Sequence, residues 1–158
     1  MTGRTDGAGR GSDPDPLASL PMIRVRSATG RPQEVPPALA TVLRRALAAE
    51  SSARGEHRIP AFRLTRSLLG GARAAGFPNA VLAHCLGTTV QSVRTRGGSD
   101  GWIAASTFAD LAGLPVKVVR AWTADGVLPA QTTDVLGNDC FPASDLVRAL
   151  LRSAAATP

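Results

Sequence analysis

One short segment of this chain carries side chains that suit the recognition of a nucleic acid. Gln91 and Ser92 are followed closely by Arg94 and Arg96. Glutamine can pair bidentately with adenine, serine accepts several bases, and arginine binds guanine or a backbone phosphate. On a helix over residues 89–96, these side chains would occupy the exposed face. The segment therefore predicts contacts with base edges and phosphates.

The same pattern occurs a second time. Both copies follow Gly-x-x-Val-x-x-Val-Arg, beginning at Gly87 and again 26 residues later at Gly113. In each copy a short apolar helix ends at the glycine, and a turn leads into a second helix, as in a helix-turn-helix. Glycine adopts the backbone conformation of such a turn without steric cost. Thr89 in the first copy and Pro115 in the second are suited to start the next helix.

The candidate binding residues lie on the second helix of each copy, while Val93 and Val119 are predicted to face inward. The candidate DNA contacts are Thr89, Gln91, Ser92, Arg94 and Arg96 in the first copy and Lys117, Val118, Arg120 and Thr123 in the second. Further phosphate contacts are expected from Arg63, Arg66 and Arg73. The alternative for each is a solvated side chain with no ligand. For Trp102 and Trp122, packing in the core is favoured over base stacking.

The charge of the 158-residue chain is unevenly distributed. The net charge is +6, of which residues 1–36 contribute +1. Residues 37–98 carry nine arginines against two acids, or +7. Residues 99–158 carry four basic residues against six acids, or −2. Because affinity for the phosphate backbone is electrostatic, the first copy is expected to bind nucleic acid more strongly than the second.

The sequence offers no pattern typical of a catalytic or metal-binding site. His84 and Cys85 are adjacent on a helix and point in different directions, and no phosphate-binding loop or nucleophile–base spacing appears. We therefore expect no enzyme activity, no metal, no cofactor and free thiols at both cysteines. No apolar run is long enough to span a bilayer, and no signal-peptide core is evident. We therefore predict a cytoplasmic protein of the bacterial nucleoid without a membrane partner.

The predicted fold is mainly α-helical, with two modules in series. Residues 36–97 are expected to form a basic helix-turn-helix bundle. Residues 98–101, rich in glycine, are interpreted as a flexible joint. Residues 102–152 are expected to form a small winged helix-turn-helix with a short β-hairpin. Residues 1–35 and 153–158 are predicted to be a disordered arm and tail.

Helical periodicity predicts the helices of the first module. One face of the first helix carries Leu39, Val42, Leu43, Ala46 and Leu47. The second helix is expected to begin at Pro60. Gly70 and Gly71 are expected to weaken it, since each glycine costs about 1 kcal/mol relative to alanine inside a helix.

Cap and turn residues predict the elements of the second module. Ser106 and Ser144 are expected to be N-caps of its first and last helices. Residues 127–130 and 139–142 are expected to pair as the hairpin, or wing. Residues 22–26, in the N-terminal arm, alternate like a strand, and the alternatives there are a short edge strand, a segment that docks on a partner, or a solvated arm.

Residues 106–151 resemble the DNA-binding module shared by MerR-type regulators and phage or plasmid excisionases. The matching segments are 107–115, 119–122, 125–129 and 141–146. The resemblance implies a recognition helix in the major groove and a wing on the backbone or minor groove. Wings of that family usually carry Arg or Lys, whereas residues 131–139 here contain two Asp and no basic residue.

Together these features predict a sequence-specific protein that binds double-stranded DNA, as a monomer or a cooperative assembly. Transcriptional regulation is the expected role. One alternative is an excisionase-like accessory factor in recombination. Another is an adaptor whose acidic winged helix docks on RNA polymerase or a recombinase.

Overall fold

A computed structural model describes residues 23–26, 32–128, 132–133 and 137–156. This part of the chain is mainly helical, with α1 (Pro37–Ser52), α2 (Arg58–Ala74), α3 (Asn79–Leu86), α4 (Val90–Arg96), α5 (Ala105–Ala112), α6 (Val116–Ala124) and α7 (Ala143–Ala156). The strands are β1 (Ile23–Arg26), β2 (Pro32–Val35), β3 (Trp102–Ala104), β4 (Thr132–Thr133) and β5 (Asp139–Pro142). None of the helices in these ranges combines the length and apolar character needed to cross a lipid bilayer.

The helix α1 lies at the centre of the fold. Its predicted apolar face is confirmed, because Leu39, Val42, Leu43 and Ala46 are all buried. The helix contacts α2 and α3 from the first predicted module and also α5 and α7 from the second. The buried side chains form one hydrophobic cluster that extends through both modules. The two predicted modules therefore share one hydrophobic core instead of each having its own.

Two glycines of α2 allow this close packing. A Cβ at Gly70 would lie 2.1 Å from the carbonyl carbon of Ser99, and one at Gly71 would lie 2.5 Å from the Cβ of Ala143. Any side chain here would force α2 away from the segment before β3 and from α7. The glycines thus contribute to packing between helices, beyond the local weakening that the sequence predicted. The helix also begins at Arg58, ahead of the predicted start.

The predicted joint is held at several points. Arg73 donates to the carbonyl of Gly97 at 2.9 Å. Gly98 has a φ of +112°, and a Cβ there would lie 2.3 Å from the carbonyl oxygen of Arg66. The Asp100 carboxylate accepts from the backbone N–H of Ser144 at 2.9 Å. These contacts differ from the flexible connection expected of a glycine-rich segment, because backbone and side chains from α2 and α7 fix it in place.

The strands depart from the predictions at both ends of the chain. β1 and β2 pair antiparallel beside α3. The predicted disordered arm is therefore wrong for both strands and the edge-strand alternative holds for 23–26, whereas 1–22 and 27–31 lie outside the described residues. In the second half, β5 lies between β3 and β4. The described partner of β5 is therefore 132–133 rather than 127–128 of the predicted hairpin, whose residues 129–130 lie outside the described ranges, and β3 adds a strand that was not predicted.

Two predicted caps are wrong. Ser106 lies inside α5, whose N-cap is Ala104, because the chain turns into the helix directly after β3. Ser144 lies inside α7, and its hydroxyl donates to the carboxylate of Asp100. Asp100 itself supplies the acceptor at this helix N-terminus, where a carboxylate also interacts favourably with the helix dipole. The predicted disordered tail is wrong for residues 153–156, which belong to α7.

Candidate nucleic-acid interface

The repeat in the sequence is also a repeat in the backbone. α3 ends at Gly87 with φ 66° and ψ 36°, and α5 ends at Gly113 with φ 71° and ψ 31°. In each copy the next residue donates back to the interior alanine, from Thr88 at 3.0 Å and from Leu114 at 2.9 Å. This is the six-to-one bond of a Schellman C-cap. The two copies therefore turn in the same way.

The second helix of each copy is anchored by a buried valine. Val93 in α4 and Val119 in α6 are fully enclosed in the core, as predicted. Thr89 is the N-cap of α4, and its hydroxyl accepts from the N–H of Ser92 at 3.1 Å. Pro115 takes the same position before α6 without a side-chain cap. The valines fix which face of each helix points outward.

The outward face of α4 is polar and exposed. Gln91, Ser92 and Arg94 are all exposed. Arg94 donates to the Gln91 side-chain oxygen at 3.1 Å, and Gln91 donates to Thr95 at 3.4 Å. These are exposed bonds within one helix, which a ligand can replace at small cost. Three of the predicted contact residues therefore lie side by side on an accessible surface.

Arg96, at the end of α4, is held by the protein itself. Its guanidinium donates to both carboxylate oxygens of Glu50 at 2.8 and 2.9 Å, and its side chain is only 23% exposed. It also lies 5.7 Å from the ring centroid of Phe62. Bidentate pairing of this kind is geometrically specific. Arg96 is therefore less accessible to a ligand than the exposed Arg94.

The three predicted phosphate contacts on α2 fall into different environments. Arg73 donates to the carbonyls of Val93 and Gly97, and burial lowers the pKa of its guanidinium. Arg73 therefore supports the turn after α4, and it is not placed as an accessible phosphate contact. Arg66 is exposed but donates to the carbonyl of Arg96 at 3.1 Å. Arg63 is exposed on the N-terminal half of α2.

The outward face of α6 is less basic. Lys117 and Arg120 are exposed, and the Arg120 guanidinium lies 4.0 Å from a carboxylate oxygen of Asp139. Val118 packs partly against the core. The hydroxyl of Thr123 is buried and has no hydrogen-bond partner among the residues that the structure describes, so this side chain faces inward. Two of the four predicted contact residues of this copy therefore lie on its accessible surface.

The two tryptophans differ. Trp122 is buried and meets Phe108 edge-on, with ring centroids 6.4 Å apart, as the predicted core packing requires. Trp102 is 56% exposed, and the prediction that it packs in the core is wrong. Its position on β3, at the edge of the three-stranded sheet, leaves one side of the indole uncovered.

Sequence reasoning missed two adjacent arginines of α1. Arg44 donates to the carbonyl of Leu86 at 3.3 Å, at the end of α3. Arg45 donates to the carbonyl of Leu111 at 3.1 Å, near the end of α5. Each guanidinium therefore binds the C-terminus of one copy's first helix, where cations are favoured by the helix dipole. The only sequence signal was an arginine pair opposite the apolar face of α1.

Among the described residues, the side chains that could react or bind a metal are buried or do not cluster into a site. Cys85 and Cys140 are both buried, and desolvation raises the pKa of Cys85 to about 12. A thiol with this pKa is protonated near neutral pH and is a poor nucleophile. Within the described ranges, no three His, Cys, Asp or Glu side chains come together as a metal site.

Comparison of the chain with known protein families, curated proteins and solved structures found no match. Function is therefore inferred from the surface itself. Its main features are the repeated turn, the exposed polar face of α4 and the charge of residues 37–98.

Proposed function

We propose that this protein binds double-stranded DNA through its two helix pairs, each acting as a helix-turn-helix, and serves as a sequence-specific transcriptional regulator in the bacterial cytoplasm. One observation carries the proposal. On α4 the exposed Gln91 lies opposite the buried Val93, and the exposed Ser92 and Arg94 flank it, within a segment of charge +7. Amide and guanidinium groups on one helix face suit base edges in the major groove.

The proposal assigns separate roles to the basic side chains. Gln91 and Arg94 read base edges, whereas the exposed Arg63 on α2 contacts phosphates. In the second pair, α6 carries Lys117 and Arg120 into the major groove and the wing lies on the backbone or minor groove, as the resemblance to MerR-type and excisionase modules implies. Arg73 supports α4 through its bond to the backbone, whereas the guanidinium of Arg96 is occupied by its ion pair with Glu50.

A second candidate function is an adaptor role for the α5–α6 pair. The supporting observation is the position of Asp139, 4.0 Å from Arg120, in a half of the chain with a charge of −2. A carboxylate beside the main cation of α6 weakens attraction to phosphate. In this alternative, the first pair binds DNA and the second docks on polymerase or a recombinase. An excisionase-like role uses the same DNA contacts and differs in the partner.

The test is a binding titration with a fluorescent duplex of random sequence across a salt series. About four to six phosphate contacts predict an affinity loss of about a hundredfold or more between 50 and 200 mM salt. Arg94→Ala should weaken binding about fivefold or more, since one charged contact is lost. Absence of any binding at the lowest salt would contradict DNA recognition altogether.

The matched control is Arg152→Ala, which removes an exposed arginine from α7. It changes the net charge by the same amount as Arg94→Ala, so equal effects would mean that only overall charge matters. A double substitution of Lys117 and Arg120 by alanine separates the two candidate roles. Unchanged DNA affinity in that variant would favour the adaptor, and a loss comparable to Arg94→Ala would favour two DNA-binding pairs.

A further inference from the structure

The N-terminal half of α2 exposes two large apolar side chains. Ile59 is 63% exposed and Phe62 is 41% exposed, and they lie one helical turn apart on the same face. Single exposed apolar residues are common on protein surfaces, but neighbouring ones at this spacing form a contiguous patch. Both residues share this face of α2 with Arg63, the proposed phosphate contact, but neither belongs to the base-reading face of α4.

The patch lines a surface cleft. The cleft has a volume of about 400 Å³, and its walls are formed by Glu50, Gly55, Arg58, Ile59 and Phe62. The 3₁₀ turn over Gly55–His57 forms one side and α2 the other. The cleft therefore combines an apolar floor with the start of a helix.

Three arginines lie beside the apolar patch. The guanidinium carbons of Arg66 and Arg96 each lie 5.7 Å from the Phe62 ring centroid, and Arg58 is exposed at the cleft wall. The carboxylate of Glu50 is already paired with Arg96. A ligand at this cleft thus meets apolar surface next to positive charge.

This combination distinguishes between classes of partner. Phosphates bind arginines but gain little from an exposed isoleucine and phenylalanine. A protein segment with leucine-like side chains on one face and carboxylates beside them complements both features. Amphipathic helices use this arrangement when they bind an apolar groove.

We propose that the cleft beside Ile59 and Phe62 binds an acidic amphipathic helix of a partner protein. Its apolar side chains cover Ile59 and Phe62, and its carboxylates pair with Arg58 and Arg66. The interaction uses α2 and the 3₁₀ turn and leaves the proposed base contacts, Gln91 and Arg94 of α4, uncovered. The protein then joins two ligands, a duplex at one helix and an acidic protein segment at another.

The test uses a synthetic peptide of about 15 residues, long enough to form a helix. It carries leucines at i, i+3, i+4 and i+7 and glutamates at the remaining positions, and its binding to the full chain is followed by fluorescence anisotropy. Micromolar binding is expected. The variant Ile59→Ser with Phe62→Ser should weaken it about tenfold or more, because buried apolar anchors dominate such interfaces.

Controls separate this site from general attraction to a basic protein. Val90→Ser removes an apolar side chain that is 37% exposed on α4, and it should change peptide affinity less than about twofold. A peptide of the same composition with its leucine stripe scrambled should bind at least about tenfold more weakly. Since Phe62 is partly buried, Ile59→Ser alone serves as the second variant if the double variant melts at a lower temperature.

Three outcomes would overturn the proposal. One is no peptide binding below millimolar concentration, and another is equal binding of the scrambled peptide. The third is unchanged peptide affinity in Ile59→Ser together with weaker duplex binding, which would assign the cleft to DNA. Neither of the first two outcomes affects the duplex titration. A failure of peptide binding is therefore distinguishable from a failure of the proposed DNA binding.

Discussion

The two helix pairs have nearly the same turn but different surroundings. Gly87 and Gly113 differ by only a few degrees in φ and ψ, and a valine anchors the second helix in both. Yet α4 presents an exposed polar face in the basic half, whereas Arg120 of α6 lies near Asp139 in the acidic half. The shared backbone fixes orientation, and the outer side chains determine which ligand each pair can bind.

The pairs are also joined mechanically. Arg44 and Arg45 are neighbours on α1, and they bind the C-terminal ends of α3 and α5 respectively. The core is continuous from α1 to α7. A disturbance in either pair should therefore be transmitted to the whole fold, although the two outer faces differ.

The largest effect is expected from a charge in the core. Val93→Asp and Val119→Asp each bury a carboxylate without a partner, and each should lower the free energy of unfolding by about 4 kcal/mol. Because the valines share one core, both variants should unfold in a single transition. Urea denaturation followed by circular dichroism measures this.

Val90→Asp is the control, because it introduces the same charge at an exposed position of α4. Its loss should be below about 1 kcal/mol. Two separate transitions in Val119→Asp would mean that the second pair unfolds by itself. The two pairs would then be separate domains rather than parts of one core.

The sequence predicted the parts of the fold that depend on local pattern. The apolar stripe of α1, the cap at Thr89, the turn glycines and both inward valines follow from periodicity and backbone preference. These features involve residues within one or two helical turns of each other, so a single sequence contains the information.

Contacts between distant residues could not be predicted in the same way. Gly70 and Gly71 resemble helix-weakening residues until α7 and Ser99 are known to pack on them. Arg96 resembles Arg94 in sequence, but only the fold brings Glu50 next to it. The sequence therefore predicted the helix face that forms the candidate site. Only the tertiary structure shows which of its arginines are accessible and which are paired.

An intermediate effect is expected at the arginines of α1. Arg44→Ala and Arg45→Ala each remove a charged hydrogen bond to a helix end and should cost about 1 kcal/mol. Hydrogen exchange should locate the two losses separately, with faster exchange around Gly87 in the first variant and around Gly113 in the second.

Arg54→Ala is the matched control, since that guanidinium bonds only to nearby carbonyls of its own segment among the contacts described. It should leave both turns protected. Faster exchange at both turns in either α1 variant would show that the pairs respond as a unit, even to a local loss.

The smallest effect concerns the acids beside the candidate DNA contacts. Glu50→Gln removes the carboxylate that pairs with Arg96 and should raise duplex affinity about fivefold, with a salt slope steeper by about one contact. Glu56→Gln, at an exposed position, removes the same charge without releasing Arg96 and should raise affinity less than about twofold. Reduced affinity in Glu50→Gln would mean that the pair instead holds α4 in its binding position.

The corresponding change in the second pair is Asp139→Asn. Its ion pair with Arg120 is longer, at 4.0 Å, and more exposed than that of Glu50, so its removal should raise duplex affinity less than about twofold if α6 docks on protein. A gain equal to that of Glu50→Gln would place α6 on the duplex beside α4. The ratio of the two gains, measured in one titration series, thus tests whether the repeated turn presents two DNA-binding helices or one.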